Sequence, residues 1–149
     1  MSSRDEITHL MNQYSFVIDT GDFEGFANLF EHGEWTMEGS EPVIGKQAIL
    51  DMSEGLIVYD DGTTKTKHLT SNIDLEIDED AGTATSQCYV TVLQQTDDFP
   101  LQAIFSGHYF DEFESVNGKW RFKKRFIRHQ LVGDLSAHIK AAASVVPGA

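Results

Sequence analysis

The chain has 149 residues, 40% of them hydrophobic and 11% aromatic, which suffices for one domain with its own core and excludes a disordered chain. A formal net charge of −13 excludes a phosphate-neutralising surface, and with it nucleic acid and anionic membranes as partners. The single cysteine, Cys88, excludes an internal disulfide, and with no signal-peptide or membrane-length apolar run a cytoplasmic location is expected.

The first segment reads as a helix. Ile7, Leu10, Met11, Tyr14 and Ile18 recur at helical spacing. Ser3 and Glu6 are placed to form a capping box. The helix should end at Asp19-Thr20-Gly21, where Gly21 can take the left-handed turn. Asp22 then caps a short second helix with Phe23, Phe26, Leu29 and Phe30 on its apolar side. A strand-like piece around Trp35 follows. A third helix is expected from about Lys46 to Glu54, with Ile49 and Met52 inward.

Beyond Gly62 the pattern changes to strands. They are expected at Lys67–Ile77, Thr83–Gln94, Gln102–Ser115 and Trp120–Val132, separated by turn residues. Helices first and a meander of strands after them predict an α+β domain with an antiparallel sheet. The last residues, Ser144 to Ala149, read as a frayed tail.

Asn117-Gly118 is a strong two-residue hairpin signal. Counting out from it sets Glu114 opposite Arg121, Phe113 opposite Phe122, Glu112 opposite Lys123, Asp111 opposite Lys124 and Tyr109 opposite Phe126. One face then carries Tyr109, Phe113, Trp120, Phe122 and Phe126, with Arg128 in phase. The other carries acid–base pairs, with Phe110 and Ile127 exposed among them. Six of the eleven basic residues lie between Lys119 and Arg128, and this register makes most of them solvated partners of Glu112 and Glu114.

No phosphate loop, dinucleotide glycine pattern, nucleophile elbow or zinc spacing occurs, so chemistry must come from residues distant in sequence. Among the six histidines, His9, His32 and His138 sit among polar neighbours and read as surface residues. His68 opens the first long strand. A carboxylate beside it would make it a general base, but on the residues alone a strand-edge histidine facing solvent is the plainer reading. Asp19 follows Phe16-Val17-Ile18. It reads either as a buried carboxylate in need of a partner or, more plainly, as a turn aspartate. His68 and His108 lie on separate strands with no ligand spacing, so no metal is expected. Cys88 lies in an interior strand and reads as an inert thiol.

Several segments together resemble the nuclear transport factor 2-like superfamily, and within it the SnoaL-like branch of scytalone dehydratase, bile-acid 7α-dehydratase and hexachlorocyclohexane dehydrochlorinase. They are Tyr14 through Asp19 and Asp22 to Phe30, Glu34-Trp35, Gly45 to Ile49, Lys67-His68 to Asn72, Gly107 to Asp111 and Trp120 to Phe122. They run in order over roughly residues 5 to 133.

The resemblance implies one domain over residues 1–149: a cone-shaped, strongly bent antiparallel sheet with three N-terminal helices closing one pocket. It implies a cofactor-free lyase or isomerase of the dehydratase type. Asp19 and His68 match the aspartate that orients, and the histidine that removes, a substrate proton. Tyr14 matches a tyrosine five residues before that aspartate, and Arg128 falls near a polar or cationic pocket position. Trp35, Tyr109, Phe122 and Phe126 would shape the pocket around a small apolar or cyclic molecule, with Cys88 in its wall. No second pocket histidine is expected on the strand from Tyr89 to Leu93, which argues against the scytalone reaction itself. The same fold also serves non-catalytic ligand binders, polyketide-cyclase-like enzymes and oligomeric scaffolds, and a homodimer or homotrimer is what the resemblance implies.

Overall fold

The computed structural model describes residues 1–141; the expected frayed tail from Ser144 to Ala149 lies outside them. The elements in chain order are α1 (Ser3–Asp19), α2 (Phe23–Leu29), β1 (Glu34–Met37), β2 (Val43–Ile44), α3 (Lys46–Ser53), β3 (Thr66–Asp78), β4 (Thr83–Thr96), β5 (Phe99–Val116) and β6 (Lys119–Val132). All three expected helices form, and each of the four long strands runs one to three residues past its expected range at one end or both.

The six strands form one sheet in the order β2-β1-β6-β5-β4-β3. It is mixed, which corrects the all-antiparallel expectation: β1 runs parallel to β6, with Trp35 beside Arg125. A four-residue strand has too little pattern to announce its partner or direction. Bulges interrupt β3 between Ser71 and Asp74, β4 near Val92 and Gln94, and the β5–β6 pair near Gly107 and Phe113. Each such bulge bends its strand and sharpens the local twist, so the sheet curls around α1. Among the described residues no helix is long and apolar enough to cross a membrane.

The inner face of the sheet and the inner sides of α1 and α2 share one core. Ile7, Met11, Tyr14 and Ile18 of α1 are buried in it, with Phe26 and Phe30 of α2. Phe122 stacks on Phe30 at 4.9 Å between ring centres and tilts against Phe113 at 4.8 Å. The cap of α1 differs from the capping box expected at Ser3 and Glu6. Ser2 is the cap and its hydroxyl accepts from the Asp5 amide at 3.1 Å, while Glu6 reaches across to accept from the Trp120 amide at 2.7 Å. Asp22 caps α2 as expected, accepting from the Gly25 amide at 2.9 Å.

The β5–β6 hairpin turns at Asn117-Gly118, both with positive φ, and pairs Glu114 with Arg121 and Phe113 with Phe122 as counted from the turn. A bulge then absorbs one residue of β6. Glu112 stands opposite Lys124, Asp111 opposite Arg125 and Tyr109 opposite Ile127. The expected pairs Glu112–Lys123, Asp111–Lys124 and Tyr109–Phe126 do not form. Because side chains alternate faces, one inserted residue reverses every later one. Phe126 therefore leaves the inner face and pairs with Phe110 outside. Arg128 is exposed and donates to Glu38 at 3.0 Å. Ile127, expected outside, is buried.

Arg125 comes inward by the same slip. Its guanidinium meets the Asp111 carboxylate through two bonds of 2.8 Å, with side chains 1% and 0% exposed. It also lies over the Tyr14 and Tyr109 rings at 4.2 and 3.9 Å. Burial alone would weaken the Arg125 charge, but the Asp111 carboxylate outweighs it and holds the guanidinium firmly protonated. A buried pair of this kind stabilises little relative to an apolar pair, yet breaking it strands a charge. Arg125→Met should therefore cost about 3–5 kcal/mol in urea unfolding, and adding Asp111→Leu should recover most of it. Equal stability of wild type and the single variant would contradict this account.

Candidate active site

α1 ends at Asp19 because Gly21 takes a left-handed φ of 75° and turns the chain toward α2. A side chain at Gly21 would collide with the Gly62 carbonyl, so the turn can press against the loop before β3. The Thr64 amide donates to the Asp19 carbonyl at 3.3 Å. The start of β3 is thereby held beside the end of α1.

Three donors converge on the Asp19 carboxylate. His68 Nδ1 lies 2.6 Å from Oδ1, the Thr66 hydroxyl donates to Oδ1 at 2.7 Å, and the His68 amide donates to Oδ2 at 2.9 Å. The His68 and Asp19 side chains are 8% and 16% exposed. With an acceptor-only carboxylate against Nδ1, the ring carries its proton there. Nε2 is then the basic nitrogen, and the ring lines a cavity.

That cavity has a volume of about 130 Å³, comparable to one that holds a single benzene-sized molecule. Its wall is almost wholly apolar. Ile18 and Phe26 come from the helices, Trp35 and Met37 from β1, Val92, Ile104 and Tyr109 from the sheet, and Leu135 and Ile139 from the segment after β6. No lysine or arginine lines it, and no cluster that could hold a metal occurs among the described residues.

Tyr14, Trp35 and Tyr109 are in the wall. The Trp35 indole donates to the Tyr14 hydroxyl oxygen at 2.8 Å, so the Tyr14 proton is free to point elsewhere. Burial raises the pKa of both tyrosines, Tyr109 well above its usual value, and both stay protonated donors. Phe122 and Cys88 are buried in the packed core and are not among the lining residues. Burial pushes the Cys88 thiol up to about 12, which suits an inert side chain. Phe126 and Arg128 are excluded from the cavity by the β6 bulge, and Ile127 lines it in their place. His108 lies on the outer face, stacked on Phe110 at 4.3 Å. His9 and His32 are exposed.

His138 is the residue that sequence reasoning missed. Expected on the surface, it is only 7% exposed and lines the cavity, its ring 6.2 Å from that of His68. It sits in an irregular segment outside any regular helix or strand. The one available signal was its apolar flank, Leu135 and Ile139, at helical spacing around it.

Burial, then the nearby His68, lowers the His138 pKa from 6.5 to about 3, against a smaller opposing pull from Asp19. The folded ring stays neutral where the unfolded ring takes a proton, so protons favour unfolding across that range. This contribution is complete above pH 6.5 and declines as pH falls toward 3. In urea unfolding, the stability of wild type minus that of His138→Phe should fall by up to about 1.4 kcal/mol per pH unit in that window. A difference independent of pH would contradict a buried neutral ring.

Comparison with known proteins places this chain in a family. No curated protein matches the chain. Among solved structures, a candidate scytalone dehydratase from Novosphingobium aromaticivorans is 28% identical, with a TM-score of 0.71 over 88% of this chain and 86% of that one. A nuclear transport factor 2-like protein with a cystatin-like fold, from the same organism, is 22% identical, with a TM-score of 0.72 over 90% and 85%. LinA is 23% identical, with a TM-score of 0.72 over 91% and 90%. The SnoaL-like domain family matches residues 1–126, a span that holds α1, strands β1 to β5, the first part of β6 and both Asp19 and His68, and the chain belongs to that family.

Proposed function

We propose that the protein is a cofactor-free lyase or isomerase that removes a proton from carbon in a small, uncharged, ring-sized substrate. The observation that carries this is His68, bonded through Nδ1 to Asp19 and lining a mostly apolar cavity. A carboxylate on Nδ1 fixes the tautomer, orients the ring and stabilises the imidazolium formed when Nε2 takes a proton. The similarity to a candidate scytalone dehydratase supports the reaction class, while fold likeness alone does not fix a reaction.

The Tyr14 hydroxyl, already accepting from Trp35, would donate to a substrate oxygen. Arg128 has no part in this reading because it faces solvent with Glu38. With no cation in the wall, an anionic substrate would be left unpaired in an apolar space.

A second reading is a ligand-binding module. The convergence of Thr66, the His68 amide and His68 Nδ1 on Asp19 favours it, because that network also ties α1 to β3 and has structural work whether or not catalysis occurs.

A panel of ring-sized cyclic ketones and β-hydroxy ketones in deuterated water separates the two. Wild type should accelerate exchange at the α-carbon or elimination for at least one compound. His68→Gln should slow it by about 10²–10⁴-fold, and Asp19→Asn should also be slow with unchanged ligand affinity. Wild-type rates in His68→Gln would contradict the lyase reading, and binding without any exchange would favour the module.

A further inference from the structure

The cavity holds a second imidazole with nothing to do. The carbonyl of His138 accepts from the Ile57 amide at 2.9 Å, and its amide donates to the Leu135 carbonyl at 3.0 Å. The preceding carbonyl, of Ala137, accepts from Gln94 at 2.9 Å and also from the Tyr59 hydroxyl. Four contacts thus hold the backbone, yet the ring itself has no hydrogen bond among the described residues. Nδ1 is turned into the protein, fully buried and, among the described residues, without a partner. An N–H there would be orphaned, a costlier state than an unused lone pair. The ring proton therefore sits on Nε2, the nitrogen left for the cavity.

We propose that His138 is a second catalytic residue of this site: a neutral imidazole whose Nε2–H binds the carbonyl oxygen of the substrate while His68 removes the adjacent proton. The inference rests on the reading of His68 as the base. The bookkeeping closes with these two groups. The C–H bond breaks and an N–H bond forms at His68 Nε2. The electron pair moves onto the carbonyl oxygen as an enolate, which the His138 Nε2–H stabilises. The enolate then expels a β-hydroxyl, which takes the proton back from His68 and leaves as water, or regains that proton at another carbon; either way His68 returns to neutral.

Two features assign different roles to the two rings. Asp19 stands against His68 and compensates its positive charge, while His138 has no carboxylate and stays uncharged through burial beside His68. Two imidazolium ions about 6 Å apart in an apolar cavity repel strongly. Once His68 is charged, His138 serves only as a neutral donor. A neutral donor suits an oxygen that starts uncharged and gains charge only in the transition state. The substrate class is therefore an uncharged, ring-sized carbonyl compound with an acidic α-hydrogen.

Phenol and toluene, which have the same shape but differ in one oxygen, test this in protein labelled with ¹⁵N at histidine. Phenol should shift the His138 Nε2 resonance and toluene should leave it in place. His138→Phe should weaken phenol about fivefold and change toluene by less than twofold. In ketone exchange the same variant should lower kcat by about 10²-fold. Phenol that fails to bind, or that saturates without moving the Nε2 resonance, would overturn the proposal. So would equal losses for the two ligands, or an Nδ1–H tautomer in the wild-type spectrum, which needs no variant to fold. A phenol-dependent shift together with an active His68→Gln would instead reject His68 as the base and leave His138 as a ligand donor.

Discussion

The carboxylate of Asp19 is the joint on which the rest depends. It stands at the end of the first helix, and it collects donors from the first residues of β3 within a span of three positions. Across the cavity a second polar contact, from the Trp35 indole of β1 to the Tyr14 hydroxyl of α1, links the helical layer to the sheet. The positions of the helix end, the strand start and the His68 ring are therefore one geometric fact. A carboxylate in such a place must be hydrogen-bonded to be tolerated, and the way this chain satisfies it leaves one imidazole nitrogen directed at an apolar space.

That space is made by inequality between the two ends of the inner face. Deep in the core the charged pair Arg125–Asp111 is neutralised and covered by the rings of Tyr14 and Tyr109. Toward the opening the wall is aliphatic and aromatic, with polarity confined to Tyr14, Tyr109, Ser53 and the two histidines. Charge is present beneath the site and absent from its surface. A ligand there meets hydrogen-bond donors and one base, without an ion to pair with, which is the basis for an uncharged substrate.

Much of the fold was legible because local signals and tertiary structure agree. Periodic apolar residues gave α1, Asp22 marked the start of α2, and Asn117-Gly118 set the hairpin turn. What failed did so at particular residues. The bulge opposite Phe113 depends on how two strands accommodate sheet curvature, and nothing in Lys123 or Lys124 announces it. One uncounted residue moved Phe126 and Arg128 off the inner face and brought Arg125 and Ile127 onto it. Asp19 and His68 lie 49 positions apart, and periodicity had no means to pair them; only their match to family positions did. His138 lies beyond the last strand, where regular patterns end, and its burial follows from Gln94 and Ile57 binding the backbone of that segment.

The central claim is that Asp19 holds the His68 proton on Nδ1 and leaves Nε2 basic toward the cavity. Proton-detected ¹⁵N spectroscopy of the histidine side chains tests it most directly, with wild type and Asp19→Asn compared at the same pH. The account predicts a far-downfield Nδ1–H signal for neutral His68 in wild type, an unprotonated Nε2, and loss of that signal in Asp19→Asn. A wild-type His68 carrying its proton on Nε2 would contradict it.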